Sequence, residues 1–209
     1  MTRRLGRPIQ GDAAETRERI LREAQRAFTT RGYDNTTNRE IASAAGITAA
    51  AIYHYFPSKV DLFVAVFLDV QTKVFDAFDA AVARHETFLT QFDSIFDAMF
   101  DLSNEDPMLA GFVVGVITEA AHHPDLREAL AKLPPRQEEF LGRMCLAAQQ
   151  RGELPESMPV RTVVDAMSGV IGGFARLAVT SRDRGRLQAV AGVYKMMARS
   201  ALSRAAAGV

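Results

Sequence analysis

The sequence lacks the residues on which several protein classes depend. It contains one cysteine, Cys145. A disulfide needs two cysteines and a zinc finger needs several metal ligands, so an intrachain disulfide framework and a zinc finger are excluded. Its 25 basic and 25 acidic side chains leave no net charge, so the whole chain gives no indication of nucleic acid as a partner. Its longest apolar runs, near 108–117 and 163–179, are interrupted by Gly, Asp, Ser or Arg. We therefore expect no membrane span, and the single thiol favours a reducing cytoplasm.

The neutral total conceals an uneven distribution of charge. Residues 1–59 hold ten basic and six acidic side chains, a net charge of +4, and the remaining 150 residues hold a net charge of −4. Such asymmetry is often only solvated surface, but a basic head on an acidic body also fits a protein that touches nucleic acid through one end.

Apolar residues recur at helical spacing along the chain, and strand alternation is almost absent. The predicted fold is all-α, with a three-helix head and a larger helical body, about nine helices in total. The head helices are predicted over 13–31, from 37 to before 46, and from 48 to 56, with a long helix over 59–82 behind them. The expected divisions are a flexible basic arm at 1–12, a helix-turn-helix DNA-binding domain at 13–59 and a ligand-binding and dimerisation domain at 60–209.

The segment from Thr37 to Thr48 has the pattern of a helix-turn-helix DNA reader. Thr37 followed three residues later by Glu40 forms a capping box, which predicts the start of a helix. Gly46 supplies a turn conformation that other residues resist. Thr48 can cap the next helix, whose N-terminal residues would then face base edges in the major groove.

The stretch from Arg17 to Phe63 resembles the DNA-binding domain of TetR-type transcriptional repressors. The resemblance runs, with its spacings intact, through Ile20-Leu21, Ala27-Phe28, Gly32-Tyr33, Thr36-Thr37, Ile41-Ala42, Ala45-Gly46-Ile47, Ile52-Tyr53-His54-Tyr55-Phe56 and Ser58-Lys59. It implies a homodimeric repressor that binds a palindromic operator in double-stranded DNA and is released when a small effector binds the body. Activation instead of repression stays open.

The resemblance and the positive dipole end of each helix N-terminus together predict the DNA contacts. The predicted set is Arg3, Arg4, Arg7, Thr36, Thr37, Arg39, Thr48, Ala49, Ala50, Tyr53, His54 and Lys59. Alanine side chains can contact only a thymine methyl, so direct readout would depend on the polar members. The Gly-Arg-Pro of the arm is similar to the core of an AT-hook and would suit a narrow minor groove. A basic tail that adds only salt-dependent affinity is the alternative.

The body holds eleven of the thirteen phenylalanines. Phe and Met at helical spacing are more often core than a ligand box. The resemblance nevertheless implies a cavity, and an apolar lining would select an apolar or aromatic effector. The predicted lining is Phe67, Phe92, Phe96, Met99, Phe112, Val116, Glu119, Phe140, Met144, Met167 and Phe174.

The last two predicted helices combine wide apolar stripes with glycines that would let a partner helix approach closely. Two such helices from each subunit would form a four-helix bundle in a two-fold homodimer. The predicted interface is Val170, Gly173, Leu177, Leu187, Val190, Tyr194 and Met197. Helix glycines within a monomer core are the alternative.

Two other functions stay open. An architectural or effector-independent DNA-binding protein would have a solid body. A helical-bundle enzyme is more remote. Glu119 and His122 have the Glu-x-x-His spacing of di-iron bundles, but the chain has no second copy, so no metal, cofactor or catalysis is expected.

Overall fold

The computed structural model describes residues 9–181 and 183–206, with the side chains of 13–181 and 183–201. Those residues form ten α-helices and no strand, where about nine helices were predicted. The helices are α1 (Ile9–Arg31), α2 (Asn38–Ala44), α3 (Ala49–Tyr55), α4 (Lys59–Val82), α5 (Phe88–Glu105), α6 (Leu109–His122), α7 (Pro124–Ala131), α8 (Arg136–Gln150), α9 (Val160–Thr180) and α10 (Arg184–Ala206). The predicted start of α1 at residue 13 is four residues late, because residues 9–12 have no apolar period that would reveal a helix.

The described residues divide into two compact units. The first, here called the head unit, comprises the described residues up to Val70 together with Gly115–Lys132. The second, the body unit, comprises Gln71–Val114 and the described residues from Leu133 onward. The head unit is therefore larger than the DNA-binding domain predicted at 13–59, since it takes in the first half of α4, the end of α6 and all of α7.

Local sequence signals set the helix ends of the head. Gly32 has a φ of 78° directly after α1, and Gly46 has a φ of 68° in the turn between α2 and α3, a backbone region that side chains resist. The Thr48 hydroxyl caps α3 by accepting from Ala51 N at 3.1 Å. The core of the head includes the buried residues Ile20, Leu21, Ala24, Phe28, Ile41, Ala42, Ala45, Ile52, Phe56, Leu62 and Phe63.

The body unit is built on packing among α5, α8, α9 and α10. Its core is aromatic. The Phe96 ring, which is fully buried, meets the rings of Phe92 and Phe174 edge to face, both at 5.2 Å between centroids. Cys145 is also fully buried, with its Sγ 3.8 Å from Met167 Sδ. Such edge-to-face contacts add to the free energy gained from apolar burial.

Helix α9 is long and apolar enough to cross a membrane by length and composition, with a mean hydropathy of 1.4. A single such helix is weak support for a membrane span, because helices in the cores of soluble proteins pass the same test. One face of α9 packs into the body core through Val164, Met167 and Phe174. The apolar composition therefore has an explanation within the fold.

Candidate nucleic-acid interface and effector-binding body

The start of α2 carries the predicted capping box. The Thr37 hydroxyl accepts from Glu40 N at 3.3 Å and donates to Glu40 Oε2 at 2.8 Å, while Thr37 N donates to Glu40 Oε2 at 2.9 Å. These hydrogen bonds, together with the Arg31 guanidinium 3.8 Å away, hold the pKa of Glu40 below its usual value. A phosphate could bind the Thr37 hydroxyl only by displacing the Glu40 carboxylate, which itself repels phosphate.

Thr36 is wrongly predicted as a DNA contact. Its side chain is fully buried, and its hydroxyl donates toward Gly32 O at 2.8 Å and Ala27 O at 3.2 Å. The residue thus closes the turn between α1 and α2. The sequence could not distinguish the two adjacent threonines, since either hydroxyl could have faced inward.

Helix α3 presents a mixed surface to solvent. Thr48, Ala50, Tyr53 and His54 are exposed, Tyr53 to 54%, whereas Ile52 is buried against the other head helices. Because more than half of the Tyr53 surface is exposed, its ring is accessible to a partner molecule. Ala49 is half-buried, and Arg39 on α2 is exposed.

Lys59, the first residue of α4, lies over an aromatic ring. Its Nζ is 4.1 Å from the centroid of the buried Tyr33 ring. Partial burial lowers the pKa of Lys59, and the carboxylates of Asp34, Glu119 and Glu40 oppose that effect. The Lys59 ammonium, which is predicted to contact a phosphate, therefore has a defined position over the Tyr33 ring.

Glu119 was predicted to line the effector pocket, and the structure places its carboxylate elsewhere. Its Oε1 accepts a hydrogen bond from Tyr33 N at 3.0 Å, and its Oε2 lies 3.4 Å from His123 Nε2. That imidazole nitrogen also lies 3.5 Å from Asp34 Oδ1. We call these five residues, Tyr33, Asp34, Lys59, Glu119 and His123, the Tyr33 cluster. The only sequence signal for it was the i, i+4 spacing of Glu119 and His123, which puts both on one helical face.

Seven of the predicted lining residues do come together. They are Phe92, Phe96, Met99, Phe140, Met144, Met167 and Phe174, and they pack in one cluster of the body unit. All except the partly buried Met99 are 5% exposed or less. Of the rest, Phe112 is buried in the body unit, whereas Phe67, Val116 and Glu119 belong to the head unit.

The residues of the predicted dimer face differ in their exposure, and Leu187 is not on the surface of the protomer. Leu187 is only 8% exposed and packs in the body core, because α10 is apolar on more than one face. Val170, Leu177, Val190 and Tyr194 are partly buried against the same core. Gly173 and Met197 are exposed.

Exposed apolar side chains lie on α9 and α10, and sequence reasoning missed Val179 and Met196 among them. Val193 and Met196 are 48% and 63% exposed, and Val179 is 47% exposed. The glycines of α9 and Gly192 of α10 have open space where a Cβ would be, so packing within the chain does not require them. The outer-face set is Gly169, Gly172, Gly173, Val179, Gly192, Val193, Met196 and Met197.

The Glu-x-x-His pair does not form a shared site. The Glu119 carboxylate is engaged in the Tyr33 cluster, whereas the exposed His122 ring has its Nδ1 2.8 Å from Thr118 O. Among the residues that the structure describes, no group of three or more His, Cys, Asp or Glu side chains is placed to hold a metal ion. The predicted arm contacts Arg3, Arg4 and Arg7 lie outside the described residues.

Comparisons with known families cover most of the chain. Residues 20–66 match the family model described as bacterial regulatory proteins, tetR family. Residues 85–184 match the model described as tetracyclin repressor-like, C-terminal domain. The first match runs from the middle of α1 to the early part of α4, and the second runs from just before α5 to the start of α10.

Individual proteins give the same picture. The HTH-type transcriptional repressor BepR of Brucella suis is 29% identical over 184 residues, which cover 80% of this chain and 82% of that protein. The structure of Salmonella enterica GusR has a TM-score of 0.73 at 22% identity and covers 96% of this chain and 100% of its own. The transcriptional regulator FadR of Bacillus subtilis, solved in complex with stearoyl-CoA, has a TM-score of 0.71 at 19% identity, and the match covers 86% of this chain and 96% of that chain. At these identities the solved structures establish the fold.

Proposed function

Because the chain belongs to the TetR family of bacterial transcriptional regulators, we propose that it is a homodimeric repressor released from a palindromic operator by a small, largely apolar effector. It acts on DNA in the cytoplasm. The relatives are transcriptional regulators and no catalytic role is proposed. The observation that carries the proposal is the exposed α3 surface, with Tyr53 and His54, on a capped helix-turn-helix.

DNA recognition is assigned to the head. Tyr53, His54 and Thr48 would contact phosphates or base edges, Ala50 a thymine methyl, and Lys59 and Arg39 phosphates. Lys59 would reach a phosphate from its position over the Tyr33 ring. Few side chains on α3 can hydrogen-bond to bases, so a palindrome and its half-site spacing should provide much of the specificity.

Dimerisation is assigned to the outer faces of α9 and α10. The exposed glycines and the Val193 and Met196 side chains form an apolar surface that intrachain packing leaves uncovered. Glycines with open space at the Cβ position allow a partner helix to approach closely. A four-helix bundle from two subunits would cover this surface and present two recognition helices to a palindrome.

An effector site is assigned to the body. Phe and Met side chains of its core would line the cavity, and the stearoyl-CoA found in FadR supports an effector with a long apolar part. These side chains pack against one another in the described structure, so a ligand would have to separate them. That packing also favours a second candidate, an effector-independent DNA-binding protein whose body serves only for dimerisation.

In vitro selection of bound DNA from random sequence tests the DNA-binding proposal. We expect a palindromic motif, and failure to enrich any motif would refute sequence-specific binding. Tyr53→Ala should weaken binding to the selected operator by about tenfold, since one aromatic or polar contact at such an interface contributes about 1–3 kcal/mol. Sedimentation should show an unchanged dimer, and dissociation of the variant would mean that the interface is misplaced.

The effector proposal is tested on the same operator complex. A panel of fatty acids, acyl-CoA esters and aromatic compounds is titrated against the bound protein, with operator release as the signal. Release by at least one apolar compound supports the repressor. Thermal stabilisation without release by any compound would favour the effector-independent alternative.

A further inference from the structure

Glu119 reaches the DNA-binding head from a distant part of the chain. It lies on α6, 86 residues after Tyr33, yet both belong to the head unit. Its side chain is only 23% exposed, and its carboxylate makes one hydrogen bond to backbone and one close approach to an imidazole. Neither contact is needed to form α6 itself, which has its own backbone hydrogen bonds.

The carboxylate completes the turn that follows α1. Gly32 N bonds to Phe28 O and Thr36 N to Tyr33 O, and Tyr33 N donates to Glu119 Oε1. A Cβ on Gly32 would lie 3.2 Å from that same oxygen, so the glycine that supplies the positive φ also leaves room for the carboxylate. Without Glu119 the partly buried Tyr33 N–H would have no protein acceptor here, which is costly in a folded chain.

The position of Tyr33 determines where Lys59 rests. The Tyr33 ring stacks on Phe28 at 5.9 Å and meets Phe63 edge-on at 5.5 Å, so the ring is held as a rigid platform. Lys59 Nζ lies over its face, and the His123 ring lies 4.8 Å away. Movement of the Tyr33 backbone would therefore displace the surface against which the Lys59 ammonium is held.

We infer that Glu119 is a positioning residue for operator binding, which acts through Tyr33 to place the Lys59 ammonium for a DNA phosphate. This inference rests on the proposed function, in which Lys59 contacts DNA. Operator affinity would then depend on Glu119 of α6, although the Glu119 side chain need not touch DNA. The carboxylate acts chiefly as a hydrogen-bond acceptor, so an amide at the same place should serve nearly as well.

The test measures affinity for the selected operator, and its salt dependence, in Glu119→Ala, Glu119→Gln, Lys59→Ala and the double variant Glu119→Ala/Lys59→Ala. Glu119→Ala should weaken binding about tenfold, and by no more than Lys59→Ala does, because it acts only by displacing the Lys59 contact. Glu119→Gln should stay within about twofold, because its amide oxygen can still accept from Tyr33 N. The control is Glu128→Ala, an exposed carboxylate of α7 that pairs only with Lys132 among the described contacts, and it should change nothing.

The double variant distinguishes positioning from general destabilisation. Lys59→Ala should lower the slope of log affinity against log salt by about 0.9, the value for one phosphate contact. Adding Glu119→Ala to Lys59→Ala should then weaken binding by less than about twofold, because the contact that it positions is already gone. A structural role alone would reduce affinity equally in both backgrounds and leave the salt slope unchanged.

Three results would overturn the inference: wild-type affinity in Glu119→Ala, equal losses in the two backgrounds, or a loss in Glu119→Gln as large as in Glu119→Ala. If Glu119→Ala does not fold, Glu119→Asp replaces it, since that carboxylate keeps the charge but is one carbon short of Tyr33 N. If Lys59→Ala itself leaves operator affinity unchanged, the fault lies in the proposed role of Lys59. If the wild type binds no operator, the proposed function fails.

Discussion

Gly172 on the outer face of α9 allows the proposed dimer to be tested with one substitution, Gly172→Leu. The residue is exposed, and a Cβ built on it meets no atom within 4 Å. The protomer should therefore accept the leucine without strain. In a dimer built on this face, by contrast, the same side chain would occupy the space through which a partner helix approaches.

The two effects have opposite signs and can be estimated separately. Replacing a helix-interior glycine should stabilise the protomer by about 1 kcal/mol through helix propensity. Inserting a large side chain into a packed contact costs about 1–3 kcal/mol. A two-fold axis repeats the substitution, so the dimer should lose about 2–6 kcal/mol, which weakens association by about 30-fold to about 10⁴-fold.

Sedimentation velocity over a concentration series measures the association, and urea unfolding at low concentration measures the protomer. We expect a monomer that is at least as stable as wild type and that binds a palindrome poorly. Gly142→Leu on α8, whose Cβ position is also open, serves as the control for helix propensity. An undiminished dimer in Gly172→Leu would show that this face of α9 is not the interface.

Two further predictions concern the body core. Phe96→Ala should reduce the free energy of urea unfolding by about 3–5 kcal/mol, because the ring is fully buried between two others, whereas Leu146→Ala at a half-exposed position should change it by less than about 1 kcal/mol. A small effect of Phe96→Ala would contradict the packed core. Burial raises the pKa of the Cys145 thiol from 9.0 to about 11, so the native thiol should not react with Ellman's reagent at pH 8. Above pH 9 the unfolded thiol ionises while the folded thiol stays protonated, so the free energy of unfolding should fall as the pH rises through about 11. Cys145→Ala should remove part of that fall. If the variant and the wild type had identical pH profiles, the raised thiol pKa would be refuted.

Features encoded in adjacent residues could be predicted from the sequence. The capping box of Thr37 and Glu40, the Thr48 cap and the glycine turns depend on neighbours within a few positions, so the helix ends follow from short patterns. Helix α4 was predicted over 59–82 and is found there, with Ser58 Oγ accepting from Asp61 N at 3.0 Å at its start. The all-α fold and the family resemblance could be predicted because they also depend on short patterns of neighbouring residues.

Features that depend on distant residues could not be predicted. No local pattern reveals that Glu119 accepts a hydrogen bond from a backbone 86 residues earlier. Leu187 was placed at an interface because its helix is apolar on more than one face, and only packing decides which face is covered. The Thr36 side chain points inward because of the turn that surrounds it. The sequence could not show this, because the neighbouring Thr37 has the same side chain.

The head unit is discontinuous in sequence, and this limits how such regulators can be recombined. An exchange of everything up to Val70 would transplant α1 to α3 but leave behind the Gly115–Lys132 segment, including Glu119 and the fully buried Leu126. The transplanted turn would then meet a foreign α6 and α7. A hybrid regulator that keeps the operator preference of this protein should therefore carry two segments of its chain, and gene fusions with a single junction should lose affinity even when every DNA-contacting residue is retained.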